Sequence, residues 1–272
     1  MAKHVKTKVA AAVTKRQDDL AKKIKATFDE QAKSISKKLS RLFKQKVKKA
    51  AKQSTEELVK DLLDSIDVEA FGADVVDEIT AELKDIYEAG SKVGLDQVKM
   101  EVSDEITNQL DEEAQAYVIK RGAELVGKKV LADGSIVDNP SATWSISETL
   151  RGDLRNVLTD GVEQGWSASH LGDVIESSGA FSESRALTIA RTELAMAHVA
   201  GNVAGWKQSG QVTGKISLLG DLHDLDDECD DNADAGVVGI DEDFPSGDDF
   251  PPYHPNCVCD VEPVMDEDDE ED

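Results

Sequence analysis

Between Val9 and Lys52 the chain holds no proline or glycine, and apolar residues stand at Val13, Leu20, Ile24, Phe28, Ile35, Leu39, Leu42 and Val47. Intervals of three, four and seven place these residues on one face of a helix. Lys22, Lys23, Lys25, Lys33, Lys37, Lys38, Lys44, Lys46, Lys48 and Lys49 cover most of the remainder. A stripe this narrow needs something to pack against before such a helix is stable in water. Ser54 or Thr55, followed by Glu56 and Glu57, predicts a helix start, with Leu58, Leu62, Leu63 and Ile66 continuing the apolar face. Gly72 and Gly90 punctuate the next stretch, where Val75, Val76, Ile79, Leu83 and Ile86 repeat at three and four. Residues 95–126 carry the same spacing through Leu95, Val98, Val102, Ile106, Leu110, Ala114, Tyr117, Val118 and Leu125. The first half is therefore predicted to be helical.

The pattern changes at residues 127–141, where Asp133-Gly134 separates two short β-branched pieces; a loop or small hairpin is predicted, and with it a domain boundary. Ser145-Ile146-Ser147-Glu148 fits a capping box for a helix ending near Gly165. Ser167 opens another that stops near Gly179, and Phe181-Ser182-Glu183 opens a longer one running to Gly210. Beyond it Val212–Leu219 reads as a strand, and from Gly220 to Pro263 the chain is turn-rich and acidic. The expected class is α+β: a mostly helical N-terminal arm and bundle, then a small C-terminal domain of helices and strands. The divisions are a basic helical arm at 1–68, an acidic helical region at 69–140, a compact domain at 141–264 and a disordered acidic tail at 265–272.

Charge sharpens that division. The formal net charge is −25, yet residues 1–60 hold 18 Lys and Arg against 6 acids, whereas residues 221–272 hold 22 acids and no Lys or Arg. A strongly acidic total argues against a general nucleic-acid coat, while the segregation suits oppositely charged contacts at the two ends. No run of 18 apolar residues occurs, which excludes a transmembrane helix, and Val9–Val13 is too short for the apolar region of a signal peptide. Three cysteines, two of them in Cys257-Val258-Cys259, form no even disulfide framework and point to a reducing setting.

Candidate chemistry concentrates between Cys229 and Cys259. Pro251-Pro252-Tyr253-His254-Pro255-Asn256-Cys257-Val258-Cys259 brings an imidazole and two thiols within six residues, and Cys229 lies 25 residues ahead of His254. Thiolate and imidazole suit Zn2+, so Cys229, His254, Cys257 and Cys259 can form a four-ligand structural zinc set; the alternative is that they pack without metal. The loop Asp224–Asn232 alternates oxygen ligands, but Cys229 and Ala235 stand where an EF-hand needs Gly and Glu, so that pattern fails. The motifs of serine hydrolases, phosphate-binding loops and zinc proteases are missing, and only five histidines occur. A metal-dependent enzyme built on the same cluster is the alternative functional class, against which stands the lack of an open coordination position and a general base. On the long helix Arg191 and His198, seven apart, share a face, and a buried ion-pair or hydrogen-bond role in packing is expected rather than acid–base work.

Two blocks in order, Arg185-Ala186-Leu187-Thr188-Ile189-Ala190-Arg191-Thr192-Glu193 and Pro251–Cys259, with Gly210 and Cys229 between them, resemble the phage Mu F-like minor head protein family, the head morphogenesis proteins of tailed phages. The likeness covers about residues 144–264. Arg191, Thr192, Glu193, Pro252, Pro255 and Asn256 are the motif positions it assigns to structure. It implies a virion component or assembly factor acting in procapsid assembly at the portal vertex, made in the host cytoplasm, and no catalytic activity. Partners expected are portal and capsid or scaffold proteins, with DNA met through the basic N-terminal helix, no membrane, and self-association of the long helix. Two departures stand out: relatives often carry a second cysteine where this chain has Asn232, and an arginine where it has Val258.

Overall fold

The structure is a computed structural model that describes residues 2–47, 53–142, 145–221, 223 and 227–265. Eight helices and five short strands follow in the order α1 (Ala2–Lys46), α2 (Thr55–Leu63), α3 (Val68–Gln97), α4 (Asp104–Leu125), β1 (Lys128–Val130), β2 (Ile136–Asp138), α5 (Ile146–Glu163), α6 (Ala168–Glu176), α7 (Glu183–Ser209), β3 (Val212–Leu218), α8 (Glu228–Asp234), β4 (Val237–Gly239) and β5 (Asp260–Met265), among the described residues. The α+β class holds: a helical first half, a small hairpin, then helices and a three-stranded sheet. The acidic tail from Asp266 lies outside the described residues, as do Lys48 and Lys49.

The chain forms two compact units, one of residues 1–18, 81–118 and 188–272, the other of residues 19–80 and 119–187. Neither is a contiguous stretch, so the expected divisions at 68/69 and 140/141 are not borders between them. Helices α1, α3, α4 and α7 each contribute to both units.

Among the described residues of the unit of 19–80 and 119–187, the regular elements are helices and the β1–β2 hairpin. Leu20, Ile24, Phe28, Ile35, Leu39 and Phe43 of α1 are each 2% exposed or less. The basic helix is thus a structural member rather than a free arm, and the apolar face that would drive self-association is already covered by the chain itself. Ser54 caps α2 in a full capping box with Glu57, and α2 packs on α5. Ser145 caps α5 by accepting from the Glu148 N–H at 3.3 Å. The Arg185 guanidinium lies 5.7 Å from the ring centre of Phe28, 3.2 Å from Asp153, and within reach of the Ala180 carbonyl. Gly72 does not break α3, because it sits where an added Cβ would fall 2.0 Å from the Ser147 hydroxyl.

The other unit sets α7 against α3 and against an antiparallel sheet ordered β4-β3-β5, with Gly214 facing both Gly239 and Val264 and Leu218 facing Asp260. Val98, Val199, Val203, Trp206, Val212, Phe244, Tyr253 and Val261 form its core. Trp206 is fully enclosed and donates its Nε1–H to Gln97 Oε1 at 2.8 Å. Gly90 also lies inside an unbroken α3, together with Gly94, and Gly201 and Gly205 stand opposite them in α7, where the two helices approach closely.

Candidate metal centre

The turn-rich acidic stretch contains one helix that periodicity does not reveal. In α8 the Asp227 side chain accepts from the Cys229 N–H at 2.8 Å, and Asp230 bonds back to the Asp227 N–H in a capping box. Glu228, Asp230 and Asp231 fill the first turn, where the helix dipole favours negative charge. This short helix fixes Cys229, which is wholly buried. Asp224–Asp226, the start of the stretch weighed as a cation loop, lie outside the described residues.

The second set of ligands comes from the proline-rich loop before β5. Pro251, Pro252 and Tyr253 are buried, and the Tyr253 hydroxyl donates to Ser217 Oγ at 3.0 Å on β3. The Cys257 N–H donates to the His254 carbonyl at 3.1 Å, a turn that sends imidazole and thiol the same way. As a result Cys229 Sγ lies 3.2 Å from His254 Nε2 and 3.7 Å from Cys257 Sγ, with all three atoms within 4.8 Å of one another. Among the described residues the group that meets this distance is Cys229, His254 and Cys257, and the fourth expected ligand, Cys259, is not part of it. Asp227 Oδ2 stands 3.3 Å from His254 Nε2.

A tetrahedral ion bound by sulfur at ~2.3 Å and nitrogen at ~2.1 Å spaces two sulfurs about 3.8 Å apart, and sulfur from nitrogen about 3.6 Å. The sulfur–sulfur spacing of 3.7 Å matches that requirement, the sulfur–nitrogen spacing of 3.2 Å is shorter than it, and the donor set is soft. The thiols also need a cation. Burial pushes the Cys229 thiol far above its ordinary range, and Cys257 and Cys259 push it further. Burial raises Cys259 as well. The Cys229 and Cys259 thiols stay protonated unless positive charge is supplied, and a bound cation would reverse the shift.

The two sequence blocks meet here. The Asn256 N–H donates to Thr192 Oγ1 at 3.0 Å, and the Asn256 side-chain amide donates to Thr188 Oγ1 at 3.0 Å. Asn256 has φ 61°, a left-handed conformation that asparagine accepts more readily than most residues. Thr192 and Glu193 are buried, whereas Arg191 is exposed and its carbonyl accepts from Gln17 at 3.3 Å, so the buried partner on this face is Thr192 rather than Arg191. Pro255 is exposed beside the ligands, and its carbonyl sits 3.0 Å from His254 Nδ1.

Thr192→Val should leave the Asn256 N–H without its acceptor and cost about 1–3 kcal/mol. It should also weaken metal binding about 10-fold or more through the loosened His254–Cys257 turn. Denaturant unfolding and a competitive metal titration check this, and Thr192→Ser should recover most of both losses.

Two functional groups escape sequence reading. Asn232 is fully enclosed; its Oδ1 accepts from the Ser246 N–H at 2.9 Å and its amide donates to Ser246 Oγ at 3.0 Å, so it ties down the 244–248 turn. Lys215 is 0% exposed in β3, paired with Asp249 and set 5.5 Å from the Phe244 ring centre. In sequence it is one lysine in a strand-like run, and no local signal separates it from a surface lysine.

Among known proteins, the model of the Phage Mu protein F like protein family matches residues 152–262. No curated protein and no solved structure matches the chain. The match spans α5 to β5 and so takes in both blocks and all four soft ligands. Residues 152–262, under half of the chain, are thus similar to the Phage Mu protein F like family.

Proposed function

We propose that this chain is a minor head protein of a tailed phage that acts in procapsid assembly at the portal vertex, becomes part of the virion and contacts portal and capsid or scaffold proteins. The observation that carries this is the family match over the region in which two distant blocks lock together at Thr192 and Asn256. No helix among the described residues is long and apolar enough to cross a membrane. The Cys229, His254, Cys257 and Cys259 cluster holds a structural Zn2+ in this reading. With four soft ligands engaged the ion would have no open position, and a closed site of this kind stabilises a fold rather than performing catalysis.

The basic face of α1 supplies the DNA contact. Lys33, Lys37, Arg41 and Lys44 are exposed at spacings of four, four and three, one stripe of a helix, with Lys38 beside them. By contrast Lys22, Lys25 and Lys46 are tied to Asp19, Asp29 and Asp61. Deleting residues 1–60 would strip out the buried face of α1, so the test is charge removal. Replacing Lys33, Lys37, Lys38, Arg41 and Lys44 with Gln should leave the fold intact and abolish salt-sensitive retention of duplex DNA. The slope of log affinity against log salt should drop by about one unit per contacting cation. An unchanged slope removes DNA from the proposal. Co-sedimentation with procapsids carrying or lacking portal tests the assembly role directly, and equal binding to both would remove the vertex.

A further inference from the structure

Lys215 stands in β3, the central strand of its sheet, opposite Val238 of β4 and Pro263 of β5. Its side chain is wholly withdrawn from water. The Nζ atom is paired with Asp249 Oδ1, and it lies 3.4 Å from the Ile240 carbonyl oxygen and 5.5 Å from the ring centre of Phe244. Phe244 is itself buried, and Phe250 packs on the same core. The second carboxylate oxygen, Asp249 Oδ2, faces the Lys207 ammonium at 3.6 Å. Lysine is among the residues least often enclosed to this degree. Keeping an ammonium and a carboxylate charged away from water is expensive, and their mutual attraction does not in general offset the loss of both hydration shells.

An amide between the two side chains removes that penalty, and both of its polar groups already have partners in place. The one N–H left on Nζ would donate to the Ile240 carbonyl, and the oxygen left on Cγ would face the Lys207 ammonium. We propose that Lys215 Nζ and Asp249 Cγ are joined by an intramolecular isopeptide bond. One proton of the ammonium passes to Asp249 Oδ1, and the freed amine attacks Cγ. Lys207 stabilises the negative charge that gathers on Oδ2 in the tetrahedral adduct. A second proton then moves from nitrogen to Oδ1, which leaves as water. The N–C bond forms, one C–O bond breaks, and no oxidant, reductant or co-reactant enters. Holding the two groups in fixed contact makes the condensation unimolecular, which counters the poor reactivity of a carboxyl group towards amines. The Asp249 side chain is 34% exposed, so the water has a way out. The bond closes a loop across 34 residues and ties the turn after Phe244 to the central strand, as a disulfide would. The inference stands on this pair and not on the zinc or the assembly role.

The test is mass spectrometry of the purified full chain, intact under denaturing conditions and after trypsin. In about half of the molecules or more, the intact mass should lie about 18 Da below that of the sequence, the loss of one water. No Lys or Arg follows Lys215, so an unlinked chain releases the tryptic peptides 208–215 and 216–272. The linked chain resists cleavage at Lys215 and yields 208–272 in one piece, with fragment ions placing the branch between Lys215 and Asp249. Lys215→Arg keeps the charge and the tryptic site but offers no amine, and Asp249→Ala removes the carboxyl group; both should show their full masses. A native chain of full mass that releases peptide 208–215 quantitatively overturns the proposal. So does a deficit that persists undiminished in Lys215→Arg, which would mark a succinimide at an Asp-Gly step such as Asp133-Gly134.

Discussion

Gly201→Ala is expected to destabilise the protein by roughly 3 kcal/mol or more, a large effect for one methyl group. An added Cβ at Gly201 would fall 2.0 Å from the Tyr87 carbonyl oxygen and 2.9 Å from the Ser91 nitrogen. Both are backbone atoms of α3, so no side chain can turn aside to make room. The contact is reciprocal: a Cβ at Gly90 would meet the His198 carbonyl oxygen at 2.1 Å, one at Gly94 the Asn202 oxygen at 2.3 Å, and one at Gly205 the Ser91 oxygen at 2.5 Å. Four glycines, paired at intervals of four on each helix, let α3 and α7 approach more closely than side chains at the crossing would permit. Gly152→Ala in α5 is the control, since nothing lies within 4 Å of its added Cβ. It should stabilise by about 0.5–1 kcal/mol, the ordinary gain from replacing a helical glycine. Urea unfolding of the two variants checks both signs. Equal midpoints for Gly201→Ala and the parent chain would mean that the helices do not cross at this distance.

The same glycines show where the sequence could and could not be read. The apolar periodicity places most of the long helices, and Ser54, Ser145 and Ser167 mark three starts by the hydroxyls that cap them. Gly72 and Gly90 read as punctuation because local propensity disfavours glycine in helices, yet both lie inside α3. What decides them is the close approach of residues far off in sequence, Ser147 for Gly72 and His198 for Gly90, and periodicity carries no such information. Helix α8 escapes a reading of periodicity for the converse reason. Its seven residues hold hardly any apolar pattern, and it is defined by the Asp227–Asp230 capping box and the buried Cys229 and Asn232.

The cluster of chemical groups is legible because the cysteines and histidine are rare and crowded, and the structure does bring His254 and Cys257 to Cys229. The clasp between the two blocks is not, since hydrogen bonding between Thr192 and Asn256 across 64 residues leaves no spacing to read. Nor is the extent of each compact unit, because long helices shared by both erase the composition shifts that mark boundaries along the chain.

Elemental analysis should find one zinc per chain, and Cys257→Ser should lose it, along with about 3–5 kcal/mol of stability in the unit built on β3, β4 and β5. In a chain of this size that corresponds to a fall of around 10 °C or more in Tm. The size of the effect reflects what holds this region together: α8 is seven residues long, β4 is three, and the loops between them are acidic and poor in apolar side chains. Structural zinc supplies folding free energy outright in small domains of this composition. Chelation of the parent chain should reproduce the loss, and readdition of zinc should reverse it, while Cys257→Ser should be indifferent to both. Because thiols must give up protons to bind the ion, and burial with neighbouring thiols already resists that loss at Cys229, zinc affinity should fall as pH is lowered. Asn232→Cys separates this centre from a four-cysteine one. Asn232 faces Ser246, so the new thiol should break two hydrogen bonds and lower stability without raising zinc affinity. If purified chain carries no metal and unfolds identically with chelator present, the four residues pack without metal, and the fold of this unit rests on the apolar core around Trp206, Phe244 and Tyr253.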